Sequence, residues 1–295
     1  MRRILVILPV LLLLAAALPA QAQNPAPGAY LEAVSGGRVD WEAGVVYATG
    51  LGSPPRGMRS AAEAKAMAAR AATVVARRNL LEVIKGVQVD STTTVENFMV
   101  VSDTVVNEVS GFLQHSVVRD TVYLSDGSAQ VTVAVPLRGD LAGILIPPAK
   151  PFAPRATVQP VPAQPASAPV QPEPAPAKPA APAPPTGLVV DAKGLGARPA
   201  MTPRILDQSG KEVFGSALVS REFAIQQGMA GYAKDPAAAA ANPRVAGNPL
   251  TVKAVAVAGP AGADLVLADA DAARVREAEA KAKFLEKCRV MIVLD

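Results

Sequence analysis

The sequence is short of nearly every residue type that carries chemistry. Its 295 residues include one cysteine, one histidine and one tryptophan, and aromatic side chains make up 4%. The lone Cys288 excludes an intramolecular disulfide. The lone His115, between a helical and a β-like stretch, excludes a histidine-rich metal site and reads as a surface or helix-terminal residue. A cysteine–histidine nucleophile pair would have to join distant parts of the chain. No GxSxG elbow is present to present a serine. Long Lys/Arg blocks with interleaved aromatics are absent too, which argues against nucleic acid as a partner. The formal net charge is +4, and it falls toward balance once Arg2 and Arg3 are set aside.

Those two arginines open a leader. MRRILVILPVLLLLAAALPAQAQ has a basic start, an apolar run from Ile4 to Leu18 and the small-residue site Ala20-Gln21-Ala22. This is the pattern of a secretory signal peptide over residues 1–22, cleaved after Ala22, with an uncleaved membrane anchor as the alternative. No second long apolar run follows, so no integral membrane span is expected after cleavage. The expected location is the periplasm, with outer-membrane association through partners. Residues 23–36 read as a flexible amino-terminal segment.

Proline is abundant, 28 residues, and concentrated. From Pro147 to Pro185 the chain is almost wholly Pro, Ala and small polar residues, with little to bury. Residues 147–186 therefore read as a polyproline-like linker, whose full extension would reach on the order of 100 Å. It could be a passive tether or a spacer that touches peptidoglycan. The linker divides the chain into an α+β protein of two small mixed α/β domains, residues 37–146 and 187–295.

In the first domain, Val39 to Thr49 is rich in β-branched and aromatic residues and predicts a strand, with GLGSPPRG as the loop after it. The next segment carries small or apolar residues at 62, 66, 69, 73, 76, 80 and 83, one face of a helix. Ser60 and Glu63 form a capping-box pair and Gly86 a stop. VQVDSTTTV alternates as a strand would. ENFMVVSDTVVNEVSGFLQ predicts one helix, with Phe98, Val101, Val105, Val109 and Phe112 on a face. SVVRDTVYLSDGSAQVTVAVPL predicts a hairpin. Trp41 and Tyr123 fall at strand positions typical of core.

The run AxxxARRNLLExIxGxxVD, from Ala72 to Asp90, together with TVYLSDGSAQVTVAVPL, resembles the Lpp-twenty lipoprotein family. The block from Trp41 to Leu137 is also similar to the amino-terminal domain family of flagellar assembly protein T. The resemblance implies a small α/β domain in an exported, envelope-associated protein, with no catalytic motif to transfer. Lipoprotein members carry a lipidated cysteine after the signal. This sequence has none there.

In the second domain, LVVDA, LTVKAVAVAG, ADLVLA and CRVMIVLD predict strands, the last with Cys288 buried in it. RILDQSGKEVFGS predicts a hairpin, and DADAARVREAEAKAKFLEK a helix. Between Pro236 and Pro243 as boundaries lie helix fragments. LVVDAKGLGARPAMTP has the look of a strand passing into a phosphate-binding loop. Asp191, Gly194, Gly196, Arg198 and Arg204 are the candidate ligand-loop residues. A dinucleotide fingerprint, however, needs a third glycine at the start of a helix; Pro199 stands there and Pro203 would break such a helix. The stretch reads better as a strand and turn. Asp264, Asp269 and Asp271 could hold a hard cation, but acidic residues at a helix start are more simply explained by the helix dipole. Arg70, Arg77 and Arg78 read as a solvated helix face.

No catalytic constellation, cofactor motif or metal site emerges. The leading expectation is a non-enzymatic envelope scaffold, assembly or adaptor protein, linked to flagellar or outer-membrane structures. Its expected partner is an envelope protein, itself or peptidoglycan. The alternative is a small-ligand-binding or enzymatic module in the second domain, or a peptidoglycan-associated tether.

Overall fold

The computed structural model describes residues 29–57, 60–146 and 184–295. The expected signal peptide, residues 23–28 and nearly all of the Pro/Ala segment lie outside them.

The chain enters through β1 (Leu31–Val34), β2 (Gly37–Asp40) and β3 (Val45–Gly52), paired antiparallel in that order. Two expectations change here. The amino-terminal segment is not flexible throughout, because Leu31–Val34 is a sheet strand. The run from Val39 to Thr49 is a hairpin rather than one strand. Asp40 Oδ1 accepts from Ala43 N at 2.8 Å and Gly44 takes φ +66°, a left-handed conformation that glycine adopts without strain.

Gly50 and Gly52, expected in a loop, complete β3. They let helix α1 (Ala61–Lys85) lie with its backbone on the strand. A Cβ on Gly50 would sit 2.2 Å from Ala76 N, and one on Gly52 would sit 2.3 Å from Ala68 O. Ser60 Oγ accepts from Glu63 N at 3.4 Å to cap the helix, as expected. The buried stripe runs through Ala68, Ala72, Ala76, Leu80 and Val83. In the first turns it departs from the expected face, since Ala62 and Ala66 are exposed. The strand glycines, rather than helix periodicity alone, select which alanines meet the sheet.

VQVDSTTTV is not a strand. Asp90 Oδ1 accepts from Thr92 N and from Thr92 Oγ1, both at 2.8 Å, and bends the chain into a turn. The single helix expected next is two, α2 (Val95–Val101) and α3 (Asp103–Gln114). Ser102 between them is extended, and its Oγ accepts from Val105 N at 3.3 Å. Serine competes with helix hydrogen bonding and favours a cap, so the break falls there. The predicted hairpin forms as β4 (Val117–Tyr123) and β5 (Ala129–Pro136), followed by α4 (Asp140–Leu145). The five-stranded sheet has the order β1-β2-β3-β5-β4. Tyr123, expected in the core, is 48% exposed on the edge strand.

The second half contains β6 (Leu188–Asp191), β7 (Ile205–Leu206), β8 (Glu212–Phe214), α5 (Arg221–Gln227) and β9 (Gly231–Ala233). Then come α6 (Pro236–Ala241), β10 (Leu250–Ala258), β11 (Asp264–Leu267), α7 (Asp269–Ala282) and β12 (Val290–Val293). Its seven-stranded sheet has the order β8-β7-β11-β10-β6-β12-β9. The apolar LVVD run of β6 lies parallel between β10 and β12 and is buried at Leu188, Val189 and Val190. Such runs suit a strand covered on both faces. The expected β7–β8 hairpin is present. Asp207 anchors its turn, accepting from Ser209 N, Ser209 Oγ and Lys211 N, while Arg276 of α7 donates to Oδ2 at 2.6 Å. Burial opposes ionisation of Asp207, but Ser209 and Arg276 more than offset it and bring the carboxyl down to about 2.

Both halves are mixed α and β, as the sequence implies. One continuous apolar core nevertheless runs through them, containing Trp41, Leu80 and Leu141 of the first with Met229, Tyr232 and Phe284 of the second. Among the described residues, no helix is long and apolar enough to cross a membrane.

The glycine contact gives a direct check. Gly50→Ala should lower the urea midpoint of unfolding, by about 1–3 kcal/mol or more in stability, because the methyl meets helix backbone that cannot rotate away. Gly111→Ala in α3, where a methyl meets nothing within 4 Å, should raise stability by about 0.5–1 kcal/mol.

Candidate functional site

The stretch that looked like a phosphate loop leaves the end of β6 and turns at Gly194 and Gly196, with φ +77° and +64°. Asp191 Oδ1 accepts from Lys193 N at 3.1 Å. Gly194 N donates to both carboxylate oxygens of Asp295, at 2.9 and 3.0 Å. This amide, which an anion could have taken, is thus used by the Asp295 side chain. No helix begins at Pro199, and residues 197–204 run on without regular structure.

The five candidate residues do not converge. Arg198 reaches back to Glu32 of β1, with Nη2 3.2 Å from Oε1 and its side chain 63% exposed. Arg204 turns inward instead. Its Nε donates to Asp264 Oδ2 at 3.0 Å, its Nη2 binds the same oxygen, and its backbone N donates to Oδ1 at 3.2 Å. Asp264 is fully buried, so this is a charge pair within the fold. Asp264 is consequently not available to a cation with Asp269 and Asp271. Asp269 accepts from Gln208 N at 3.1 Å, and Asp271 pairs with Arg274 at 2.7 Å. Both sit in the first turn of α7, where they oppose the helix dipole, although the cap residue itself is Ala268. No group of three His, Cys, Asp or Glu side chains placed to hold a metal occurs among the described residues.

His115 ends α3, exposed, with Nδ1 2.9 Å from Gly111 O. Cys288 is buried as expected, though it precedes β12, and burial pushes its thiol up to about 12. A thiol held protonated in this way is a poor nucleophile.

What the loop does is hold the halves together. Met201 N donates to Gln88 O at 2.9 Å and Thr202 N to Val89 O at 2.7 Å. Thr202 Oγ1 donates to the same Val89 carbonyl at 2.8 Å, and Ala261 N donates to Ser91 O at 3.0 Å. Residues 88–91 belong to the segment expected as a strand; as a turn, they present carbonyls to the second half. Beside them, Tyr232 donates its hydroxyl to Ala200 O at 2.7 Å and accepts from Ala200 N at 3.0 Å. The Tyr232 ring meets Trp41 edge-on, with centroids 5.5 Å apart and planes at 71°. Trp41 completes the link by donating Nε1 to Glu32 Oε2 at 2.9 Å.

Residues 187–295 match the family model described as Treponema pallidum Tp0624, second domain. No curated protein matches the chain. The match begins one residue before β6 and takes in every element of the seven-stranded sheet.

Behind the aromatic contact the junction opens into a polar cleft of about 310 Å³, lined by Glu42 and Arg138 from the first half and by Gln227, Asn242, Arg244 and Met291 from the second. Arg138 Nη2 donates to Glu42 O at 2.6 Å. Arg244 Nη1 donates to Gly228 O at 3.0 Å and Cys288 O at 2.8 Å, and its Nη2 to Gln227 O. The Gln227 and Gly228 carbonyls close the carboxyl end of α5, where a cation is favoured. The sequence offered no signal for this cluster, because its residues lie in five separate segments.

The two candidate arginines can be separated by experiment. Arg204→Ala leaves Asp264 buried without its partner and should cost about 3–5 kcal/mol in urea unfolding. Arg198→Ala removes an exposed contact and should stay within about 0.5 kcal/mol.

Proposed function

We propose that this protein is a non-enzymatic, periplasmic scaffold or adaptor of the cell envelope that assembles through the open edge of its first sheet. The likeness of residues 41–137 to the Lpp-twenty family supports the envelope setting, and the signal-peptide pattern of residues 1–22 supports export. The family description matched by the second half names a domain and no activity. A link to flagellar or outer-membrane structures extends the same resemblance.

One observation carries the assembly reading. Among the described residues, strand β4 has a partner on one side only, β5, and its Val117, Val118, Val122 and Tyr123 are between 45% and 54% exposed. The register slips between Val118 and Asp120, which face Val133 and Thr132 respectively, leaving Arg119 as the extra residue of a bulge. Residues on either side of a bulge keep their faces only if the alternation shifts by one. Two copies of β4 running antiparallel can therefore set Val117 against Val122, Val118 against Thr121 and Arg119 against Asp120 while keeping outer face on outer face. The two central pairs are of opposite charge, which favours this register. A bulge and charges can also guard an edge against unplanned pairing, so the charge pattern is the feature to test.

Sedimentation equilibrium of the mature chain is expected to show a reversible dimer. Arg119→Asp or Asp120→Arg alone should weaken it about tenfold or more, and the double exchange should restore it. A chain that stays monomeric at every concentration, or single variants that associate as well as wild type, would contradict the reading.

A further inference from the structure

The cleft between the halves holds both signs of charge, and neither guanidinium is in direct contact with a carboxylate of the described residues. Among the described residues, no ion pair within 4.0 Å joins Arg138 or Arg244 to an acid. Apart from the bond from Nη2 to Glu42 O, the N–H groups of Arg138 meet no described acceptor. Arg244 spends its two Nη groups on carbonyls, while its Nε lies beside Gly231. A Cβ at Gly231 would come 3.2 Å from that Nε and 2.5 Å from Met291 Sδ, so glycine keeps this wall open. On the same side as Arg138, the Glu42 carboxylate accepts from Asn242 Nδ2 at 3.3 Å. The remaining wall is apolar, formed by Pro243 and Met291.

The counter-charges are unequal: Asp40 and Glu42 partly offset the charge of Arg138, while Arg244 faces a second guanidinium. Burial pulls both arginines below the usual guanidinium range; the Asp40 and Glu42 charges oppose this at Arg138, whereas the Arg138 charge adds to it at Arg244, which falls to about 10. Burial and then the Asp40 charge raise Glu42 above the usual carboxylate range, with Arg138 opposing. A bare anion placed here would gain the arginines but meet Glu42, and a bare cation would gain Glu42 but meet two guanidiniums. A molecule bearing a carboxylate at one end and an ammonium at the other satisfies all three. The volume, about 310 Å³, is at the small end of ligand sites and suits a molecule of amino-acid size.

We propose that this cleft binds a small zwitterion of the amino-acid class. Its carboxylate lies against Arg138 and the Nε edge of Arg244, its ammonium on Glu42, and its side chain against Pro243 and Met291. The site belongs to neither half alone, so ligand occupancy would stabilise their docking. It is independent of assembly through β4.

The test is titration calorimetry of the full mature chain at neutral pH with four probes. They are leucine in either hand, leucinamide, which lacks the carboxylate, isocaproate, which lacks the ammonium, and inorganic phosphate. Leucine should bind about tenfold or more tightly than leucinamide or isocaproate, since each of these forfeits a charge-assisted contact. Glu42→Gln should bring leucine down to the affinity of isocaproate, and Arg138→Gln should bring it down to that of leucinamide. The reactivity of the Cys288 thiol checks that each variant is folded. Absence of heat with all probes, isocaproate or phosphate binding as well as leucine, or leucine binding that survives both substitutions in folded protein would overturn the proposal.

Discussion

The structure depends on how residues 198–204 are received by the turn at residues 88–91. Backbone amides at Met201 and Thr202 and the Thr202 hydroxyl all donate to carbonyls of the first half. Each such bond adds only about 1 kcal/mol net, but leaving one of these buried groups unpaired would cost about 1–3 kcal/mol. Tyr232 is the hinge pin of the arrangement. Its hydroxyl satisfies both polar groups of Ala200, its ring lies against Trp41, and burial raises its phenol far above the usual tyrosine range. Further along the seam, Gly139 N donates to Ile225 O at 2.8 Å, and Arg221 Nη2 bonds Ile146 O and Gly143 O at 2.9 and 3.0 Å. The two halves on either side of the Pro/Ala segment are thus in direct contact.

From that docking follow the features that bear on function. The cleft exists because Glu42 and Arg138 of one half are brought opposite Asn242 and Arg244 of the other. The first sheet, by contrast, packs against α1 and, among the described residues, leaves β4 at an open edge. One surface is thus consumed in holding the molecule together while another remains for a partner. Ser91 marks the cost of the seam. Its Oγ is buried without a hydrogen-bond partner, beside Gly259, where an added Cβ would come within 2.5 Å of the Ser91 Cβ.

Elements with strong local signals were readable from sequence. The capped helix α1, the β4–β5 hairpin around Ser125 to Gly127, the β7–β8 hairpin and the apolar strands β6, β10 and β12 all lie where spacing and turn residues place them. The errors fall where a tertiary contact overrides local pattern. Gly50 and Gly52 read as loop because glycine is the usual loop residue, yet they serve a strand pressed against helix backbone. VQVDSTTTV alternates like a strand but becomes a turn through the Asp90 side chain. The glycine pair at 194 and 196 and the arginines beyond it looked like a ligand loop. The glycines form the turn that the prolines favoured, Arg204 pairs with the buried Asp264, and only the stretch beyond them, at Met201 and Thr202, docks on the first half. The Arg138–Arg244–Glu42 cluster had no local signal at all, being assembled only when the halves meet.

The chain carries its own pair of probes for the central claim that the halves form one cooperative body. Trp41, the sole tryptophan, belongs to the first half, and Cys288, the sole cysteine, is buried in the second. Urea unfolding of residues 23–295, followed both by Trp41 fluorescence and by the reactivity of the Cys288 thiol, compares them under identical conditions. Coincident transitions are expected if residues 198–204 and their seam hold the halves as one unit. A tryptophan transition completed while Cys288 remained protected, or the reverse, would contradict it.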